Sequence, residues 1–424
     1  MFKTFGQLFK RSNKDLRKRI YFTLFCLAIF AVGSTITVKW ISTAYEAYDF
    51  LEIYNLMAGG GLKSFSIFAL GVTPYINAQI ITQLLQMDII PYFKELKEEG
   101  YTGKQKINKI TRYLGIFLAF FQGYIFTRVY SGSSDAMLIM KTTVIFTAGT
   151  ALLLWIGDRI TKNGIGNGLS LLIMAGILQS LPNIFKEAFK NLVMSTEFTT
   201  GVGIALFVAF IVVYLLIVIG IIWVQLAERR IPIQYANRTN SAYGGHQNYL
   251  PIKINSAGVI PVIFATMLLS LPGTIAGFIE QGKDVKPATD FISKYLTNTT
   301  LTGFIIYIVL IFLFSYFYTF LEMNPDEMSK NLTKSGAYIP GVRPGDATID
   351  YVSNILSKLT IVGSLFLVGI AALPIIFTKF SHLSSSVTIG GTGLLIVVGV
   401  AIETFKQIES SLVSRSHRYG VNRK

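Results

Sequence analysis

The chain has 424 residues, of which 52% are hydrophobic and only 14% are charged, and its formal net charge is +15 at pH 7. Its mean hydropathy is +0.53. A soluble domain of this size would need many more charged residues to cover its surface. The charged residues cluster between long uncharged runs, which is typical of a membrane protein and excludes an ordinary soluble domain.

Ten runs are apolar and long enough to predict membrane-spanning helices. They lie near residues 20–38, 72–87, 113–130, 138–157, 168–185, 203–225, 256–278, 302–321, 355–377 and 391–405. The basic segment 1–19 leads into the first run without a clear small-x-small cleavage site. It is therefore predicted to be a retained amphipathic segment on the membrane surface, not a cleaved signal peptide.

The basic residues predict the orientation of these spans. About 28 of the 38 Lys and Arg lie in segments 1–19, 88–112, 157–167, 228–255, 323–358 and 406–424, which all fall on one side of a ten-span protein. Cytoplasmic segments carry the excess of Lys and Arg, so both termini are predicted to be cytoplasmic. A basic cytoplasmic surface suits anionic lipid and ribosomal RNA as partners.

A short motif occurs twice, each time where an apolar helix begins. Residues 71–76 read GVTPYI and residues 258–263 read GVIPVI, in spans two and seven. Five spans separate the copies, so the two halves have opposite orientations, as in the inverted repeats of transport proteins. The alternative is coincidence, because Gly and Pro are common in membrane helices. Matching positions in the two halves favour the repeat.

The predicted fold is therefore an all-α membrane protein with ten transmembrane helices in two inverted, pseudo-symmetric halves of five. The N-terminal half covers residues 20–190 and the C-terminal half covers residues 191–405. Cytoplasmic loops at 228–255 and 323–354 interrupt the second half, and a cytoplasmic tail covers residues 406–424.

The spans contain few groups that could do chemistry. No Asp, Glu, Lys or Arg lies in the middle of a predicted span, which disfavours a coupled small-molecule carrier. The H-E-x-x-H and G-x-S-x-G motifs are absent, and the glycine-rich stretch 59–64 lacks the G-K of a phosphate loop. One cysteine and three scattered histidines indicate no disulfide and no metal site. We therefore expect a protein that is not an enzyme and has no cofactor.

Several stretches, in chain order, resemble the SecY family, the protein-conducting channel of the bacterial plasma membrane. They are SIFALGVTPYINAQIITQLLQ (66–86), ITKNGIGNGLSLLIMAGI (160–177), KINSAGVIPVIFA (253–265), KSGAYIPGVRPG (334–345) and GGTGLLIVV (390–398). Residues 31–37, AVGSTIT, differ from the R-I-G-x-x-I-P that is usual in the family. Both a main and an accessory channel fit this resemblance.

The resemblance implies a pore that passes unfolded secretory proteins across the membrane and releases membrane-protein helices sideways into lipid. By motif position, a pore ring of aliphatic side chains pinches the pore: Val72, Ile76, Ile173, Ile263 and Ile396. A plug near residues 50–65 fills the outer funnel and includes Leu51, Tyr54, Met57, Gly59, Gly60 and Gly61. The lateral gate between spans two and seven includes Ile80, Gln122 and Thr266. The alternatives are that each ring residue faces lipid or packs between helices, and that the plug segment is an ordinary outer loop. Gln122 and Thr266 could instead make a routine interhelical hydrogen bond.

The two long cytoplasmic loops are the predicted docking sites. Residues 231–235 and 250–254 alternate polar and apolar positions around turn formers, which predicts a β-hairpin. The resemblance implies that the SecA motor ATPase or the translating ribosome docks here, on Arg229, Arg230 and Arg343. It also implies the small membrane subunits SecE and SecG. The alternative is that these arginines only set the topology.

Three classes of function remain at this point. They are a passive protein-conducting channel, a small-molecule carrier built on an inverted repeat, and a membrane scaffold without a pore. The uncharged spans disfavour the carrier, and the plug-like segment and the repeated gate helix disfavour the scaffold.

Overall fold

The computed structural model describes residues 14–38, 55–56, 58–62, 64–86, 90–130, 135–194, 200–235, 248–279, 287–296, 300–381 and 385–421. Leu51, Tyr54 and Met57 of the predicted plug lie outside these ranges. The helices in chain order are α1 (Lys14–Thr35), α2 (Thr73–Leu85), α3 (Pro91–Glu98), α4 (Tyr101–Tyr130), α5 (Ala136–Asn163), α6 (Gly168–Val193), α7 (Thr200–Leu226), α8 (Ile260–Ile279), α9 (Pro287–Tyr295), α10 (Leu301–Glu322), α11 (Pro325–Lys334), α12 (Asp346–Ser381) and α13 (Ser385–Val421). The strands are β1 (Glu228–Tyr235), β2 (Asn248–Lys253) and β3 (Ala337–Tyr338).

The chain is mainly helical, and a helix overlaps each of the ten predicted spans: α1, α2, α4, α5, α6, α7, α8, α10, α12 and α13. Five of these helices, α5, α6, α7, α10 and α12, are long and apolar enough to cross a membrane by themselves. Helices α4, α12 and α13 extend beyond the predicted spans into polar sequence. In α4 and α13 these extensions include Lys and Gln, which are good helix formers. The short amphipathic helices α3 and α9 were not predicted.

The two copies of the repeated motif have the same local structure. Gly71 and Gly258 both have left-handed backbones, with φ of 56° and 64°. A left-handed residue before a helix is tolerated best by glycine, which has no Cβ. In each copy the proline is the second residue of its helix, where its missing N–H removes no helical hydrogen bond. The isoleucine of each copy is the fourth residue of α2 or α8.

The same set of helix pairs packs together in each half of the chain. In the first half the pairs are α2–α4, α4–α5, α5–α6, α1–α6 and α1–α5. In the second half they are α8–α10, α10–α12, α12–α13, α7–α13 and α7–α12. If the ten helices that overlap the predicted spans are numbered one to ten in chain order, adding five to each pair of the first half gives a pair of the second half. One large apolar cluster spans both halves.

The halves meet mainly along α6, which packs against α7 and α13, and α4 also touches α8. At one end of this seam, the turn between α5 and α6 is hydrogen-bonded to both α1 and α13. The Ile165 N–H donates to Thr23 Oγ1 of α1 at 3.0 Å, and the Gly166 N–H donates to Gln407 Oε1 of α13 at 3.0 Å.

A small sheet extends from the helix bundle, with strand order β2–β1–β3. The predicted hairpin is confirmed, since β1 and β2 pair antiparallel with Ile231 opposite Leu250. The third strand was not predicted and joins the second loop to the hairpin, with Gln234 opposite Tyr338. We call the sheet, α11 and residues 339–345 the platform, and the end of the bundle that carries them the platform end. The platform has an apolar core distinct from the main cluster, in which Ile252 and Leu332 pack with Val352 from the start of α12.

Candidate functional site

A cavity of about 410 Å³ lies at the platform end of the bundle. Four charged residues line it: Lys253 at the end of β2, Glu322 at the end of α10, and Glu403 and Lys406 within α13. Ile173 of α6, Ile263 of α8 and Ile396 of α13 line it farther along their helices. The cavity therefore has both charged and aliphatic residues in its lining.

All five residues of the predicted pore ring are buried in the same apolar cluster, with exposures between 2% and 8%. Three of them, Ile173, Ile263 and Ile396, line the cavity. Val72 is the N-cap residue of α2, next to the motif glycine, and Ile76 lies in the first turn of this helix. The five residues thus lie on four helices or at their entrance, α2, α6, α8 and α13, which belong to both halves.

The described part of the predicted plug packs against three of these helices. Ser180 Oγ of α6 lies 3.4 Å from the Leu56 carbonyl oxygen. A Cβ added to Gly393 of α13 would lie 3.0 Å from Leu56 Cδ2, and one added to Gly71 would lie 3.2 Å from Ala58 Cα. The plug is therefore seated on α6, on α13 and on the entrance to α2.

Backbone hydrogen bonds fold the glycine-rich part of the plug into tight turns. The Gly60 N–H donates to the Asn55 carbonyl at 2.8 Å, and the Ser66 N–H donates to the Gly61 carbonyl at 2.9 Å. Gly59 and Gly60 have φ of 68° and 81°, which favours glycine at both positions. In this structure the three glycines therefore form a hydrogen-bonded turn.

The cavity, the predicted ring residues and the plug follow one another along the same helices. On α6 the order is Ser170 in the cavity lining, then Ile173, then Gly176 beside Gly59 of the plug. On α13, read in the opposite direction, Val400 lines the cavity, Ile396 follows, and Gly393 touches the plug. Ile173 and Ile396 therefore lie between the cavity on one side and the plug on the other.

The predicted gate residues lie on three helices. Ile80 of α2, Gln122 of α4 and Thr266 of α8 are each 7% exposed. The Thr266 hydroxyl donates to the Val262 carbonyl of its own helix at 2.7 Å. The Gln122 Oε1 atom is buried and has no hydrogen-bond partner among the described residues.

Asn77 was missed by the sequence interpretation. It follows Ile76 on α2, is 4% exposed, and neither of its side-chain amide atoms has a hydrogen-bond partner within the described ranges. A buried amide without a partner destabilises the state in which it is buried. An amide inside an apolar span was the sequence signal that would have identified it.

The three predicted docking arginines are all exposed on the platform. Arg229 and Arg230 lie on β1, and Arg230 Cζ is 4.7 Å from the centre of the Tyr249 ring on β2. Arg343 lies about one hundred residues later in the sequence, in the turn that leads into α12. The sheet brings their two loops into one structure. No cluster of residues that could hold a metal ion occurs in the part of the chain that the structure describes.

Comparison with known proteins agrees with this arrangement. The SecY family model matches residues 66–405. The protein translocase subunit SecY of Bacillus subtilis (strain 168) is 43% identical over 432 residues, with 99% of both chains covered. The corresponding subunit of Staphylococcus carnosus (strain TM300) is 41% identical over 438 residues, again with 99% of both chains covered.

Two solved structures have a similar fold. A protein-conducting channel matches with a TM-score of 0.70 at 20% identity, covering 95% of this chain and 94% of that chain. Sec61 in the canine ribosome–channel complex from the endoplasmic reticulum matches with a TM-score of 0.66 at 20% identity and the same coverage. Identities this low show likeness of fold alone. Taken with the family match and the full-length relatives, they lead to the conclusion that the chain belongs to the SecY family.

Proposed function

We propose that Val72, Ile76, Ile173, Ile263 and Ile396 form the constriction of a polypeptide pore, with the cavity at its cytoplasmic side and the plug at its outer side. As a member of the SecY family the chain is a protein-conducting channel subunit of the translocase and not an enzyme. The proposal assigns the narrowest part of that channel to named side chains.

One observation carries this assignment. Along α6 and along α13, a cavity-lining residue, a predicted ring residue and a plug-contacting residue follow in order, although the two helices run in opposite directions. An aliphatic constriction suits the task, because a pore for unfolded chains must pass every kind of side chain and bind none strongly. A narrow apolar constriction also holds back ions by excluding water.

Crosslinking to a translocating chain tests the ring. With Cys26 replaced by alanine, Ile263→Cys should crosslink to a secretory chain that is stalled in the channel. Ile275→Cys on the same helix is the matched control, because Ile275 is 53% exposed and belongs to the outer surface of the bundle. Equal crosslinking at 263 and 275, or none at 263, would contradict the assignment.

We further propose ten membrane spans in two inverted halves, with the lateral gate between α2 and α4 on one side and α8 and α10 on the other. The repeated motif with its left-handed glycines and the matching helix pairs of the two halves support this. Ile80, Gln122, Thr266 and Asn77 belong to this gate. Opening it exposes the pore to lipid, where an apolar substrate segment gains about 0.8 kcal/mol for each buried CH₂.

We propose that both termini and the platform are cytoplasmic and that the membrane is the bacterial plasma membrane. The excess of Lys and Arg on this side supports the orientation. Trp155 and Trp223 are exposed and lie in the C-terminal halves of α5 and α7. Arg159 Cζ lies 5.2 Å from the centre of the Trp155 ring. Exposed tryptophans beside basic residues suit the headgroup region, including anionic lipid.

We propose that the platform is the docking surface for the partner that drives transport, either the SecA motor ATPase or the translating ribosome. The related Sec61 channel is part of a ribosome–channel complex. The small subunits SecE and SecG, which the resemblance implies, complete the proposed set of partners. Three exposed arginines on a surface with its own apolar core support docking here.

The docking role predicts the behaviour of Arg343→Glu. Reversing this exposed charge should block motor-dependent export, because an acidic group on the partner would meet a like charge. The variant should still insert and assemble, since the Arg343 side chain is exposed and lies outside the bundle. The measurement is export of a secretory protein into inverted vesicles, with the amount of inserted channel as the control. Normal export by this variant would remove the docking role.

A further inference from the structure

Hydroxyl groups hold the turn that carries Arg343 from two sides. Thr348 Oγ1, in the first turn of α12, donates to the Arg343 carbonyl oxygen at 2.8 Å. Ser329 Oγ, in α11, donates to the Gly345 carbonyl oxygen at 3.2 Å. Thr348 and Ser329 are 4% and 3% exposed, whereas Arg343 itself is exposed. The backbone beneath the arginine is therefore tied to two different helices.

These two hydroxyls bond differently from several other buried hydroxyls in the described helices. Thr82, Thr266 and Thr360 each donate to the carbonyl four residues earlier in their own helix, the usual behaviour of a helical Ser or Thr. Ser329 and Thr348 donate instead to carbonyls outside their helices. Their hydroxyls are thus not used to satisfy the helices in which they lie.

Apolar contacts fix the other end of the same turn. Ile339 is 2% exposed and belongs to the platform core, and Val342 packs against that core. The Val342 N–H donates to the Ile339 carbonyl at 3.1 Å. The chain is therefore anchored immediately before Arg343 by packing and immediately after it by hydrogen bonds.

We propose that Ser329 and Thr348 are positioning residues that hold the Arg343 turn in its docking conformation before the partner arrives. This inference rests on the proposed docking role of Arg343. A preformed turn spares the partner the loss of conformational entropy that ordering a loop would require on binding. Removing the hydroxyls should weaken docking without touching the arginine.

The surroundings of the turn favour a protein partner with an acidic group. Asp326 and Glu327 in the first turn of α11, and Asp346 at the start of α12, are exposed on the same platform. Acidic groups on this platform repel the phosphates of RNA, whereas a protein surface can match a mixed pattern of charges. The motor ATPase fits this surface better than ribosomal RNA does.

The test compares four variants of the full channel complex in nanodiscs. Thr348→Val and Ser329→Ala remove the hydroxyls. Thr348→Ser keeps a hydroxyl at the same position. Thr360→Val is the matched control, since the Thr360 hydroxyl is also buried in α12 but bonds within its helix. The readout is the motor concentration that gives half-maximal stimulation of its ATP hydrolysis, together with the maximal rate.

We expect the half-maximal concentration to rise about 3- to 10-fold in Thr348→Val and in Ser329→Ala, as for the loss of one neutral hydrogen bond. The maximal rate should stay the same, and Thr348→Ser and Thr360→Val should behave like the unchanged chain. Amide exchange at residues 342–349 should be faster in Thr348→Val. A structural defect of the bundle would instead lower the maximal rate.

Three results would overturn the inference, and Arg343→Glu in the same assay distinguishes between them. If Arg343→Glu abolishes stimulation while both hydroxyl variants match Thr360→Val, the positioning role is wrong and the docking role stands. If Arg343→Glu also stimulates normally, the docking role fails and the inference fails with it. If the hydroxyl variants weaken binding of vacant ribosomes but leave motor binding unchanged, the assignment to an acidic protein partner is wrong.

Discussion

At the scale of single residues, Gly59 shows how closely the predicted plug packs against α6. Its φ is 68°, and an added Cβ would lie 2.8 Å from Gln179 Oε1 and 3.4 Å from Gly176 Cα of α6. Gln179 is itself held in place, since its Oε1 accepts a hydrogen bond from Ser34 Oγ at 2.9 Å. The neighbouring Gly60 has φ of 81° but nothing within 4 Å of an added Cβ.

This contrast predicts different effects for two similar substitutions. Gly59→Ala should displace the plug from α6 and raise the ion conductance of the resting channel in planar bilayers. Gly60→Ala carries a similar backbone strain, roughly 1–2 kcal/mol, without the clash, and should leave the conductance close to that of the unchanged channel. Equal conductance of the two variants would mean that backbone strain, and not contact with α6, decides the position of the plug.

At the scale of elements, α2 carries a polar group that its neighbours do not satisfy. Both amide atoms of Asn77 are buried without a partner among the described residues, and the Gln122 Oε1 atom on the adjacent α4 is in the same condition. Buried amides of this kind destabilise the closed packing of a gate helix. They favour opening, because water or a substrate can then supply the missing hydrogen bonds.

Asn77→Leu should therefore stabilise the closed gate. Removing an unsatisfied buried amide contributes about 1–3 kcal/mol, which corresponds to roughly 5- to 150-fold in the ratio of closed to open channels. Secretory proteins with weakly hydrophobic signal sequences should be exported less by this variant, while those with strong signals should be exported normally. Asn77→Gln keeps an amide and is the control. Better export of weak signals by Asn77→Leu would contradict this account of the gate.

At the scale of the whole molecule, the seam along α6 joins the halves on the side away from the proposed gate. A Cβ added to Gly166 would lie 3.1 Å from Thr404 Oγ1 and 3.4 Å from Thr404 Cγ2 of α13. Two cysteines at these positions are close enough for a disulfide. If the two halves pivot about this seam, a disulfide across it should not prevent the proposed gate from opening.

The corresponding variant carries Gly166→Cys and Thr404→Cys, with Cys26 replaced by alanine. We expect oxidation to form the disulfide and to leave the rate of export unchanged. The reduced form of the same protein is the control, because it carries the same strain at residue 166, whose φ is 85°. Loss of export on oxidation that returns with a reductant would mean that the halves slide along this seam.

The sequence alone predicted the positions of the ten long helices, the repeated motif and the hairpin, because hydrophobic runs, glycine–proline entrances and strand alternation are local signals. It did not predict β3, since two residues paired with a strand about one hundred positions away leave no local pattern. It also did not predict the contact of Gly59 with α6 or the hydroxyl bonds to the Arg343 turn. These depend on which elements become neighbours in the folded chain, and the sequence does not display that.

The separate apolar core of the platform has a consequence for how this chain can diverge. Ile252, Leu332 and Val352 stabilise the proposed docking surface, while another set of side chains packs the bundle around the proposed pore. Substitutions that change which partner binds therefore need not disturb the pore. Substitutions in the pore likewise need not disturb binding of the partner. Grafting residues 228–253 and 325–345 together from a distant relative should transfer that relative's preference for its partner. Grafting either stretch alone would break the shared sheet.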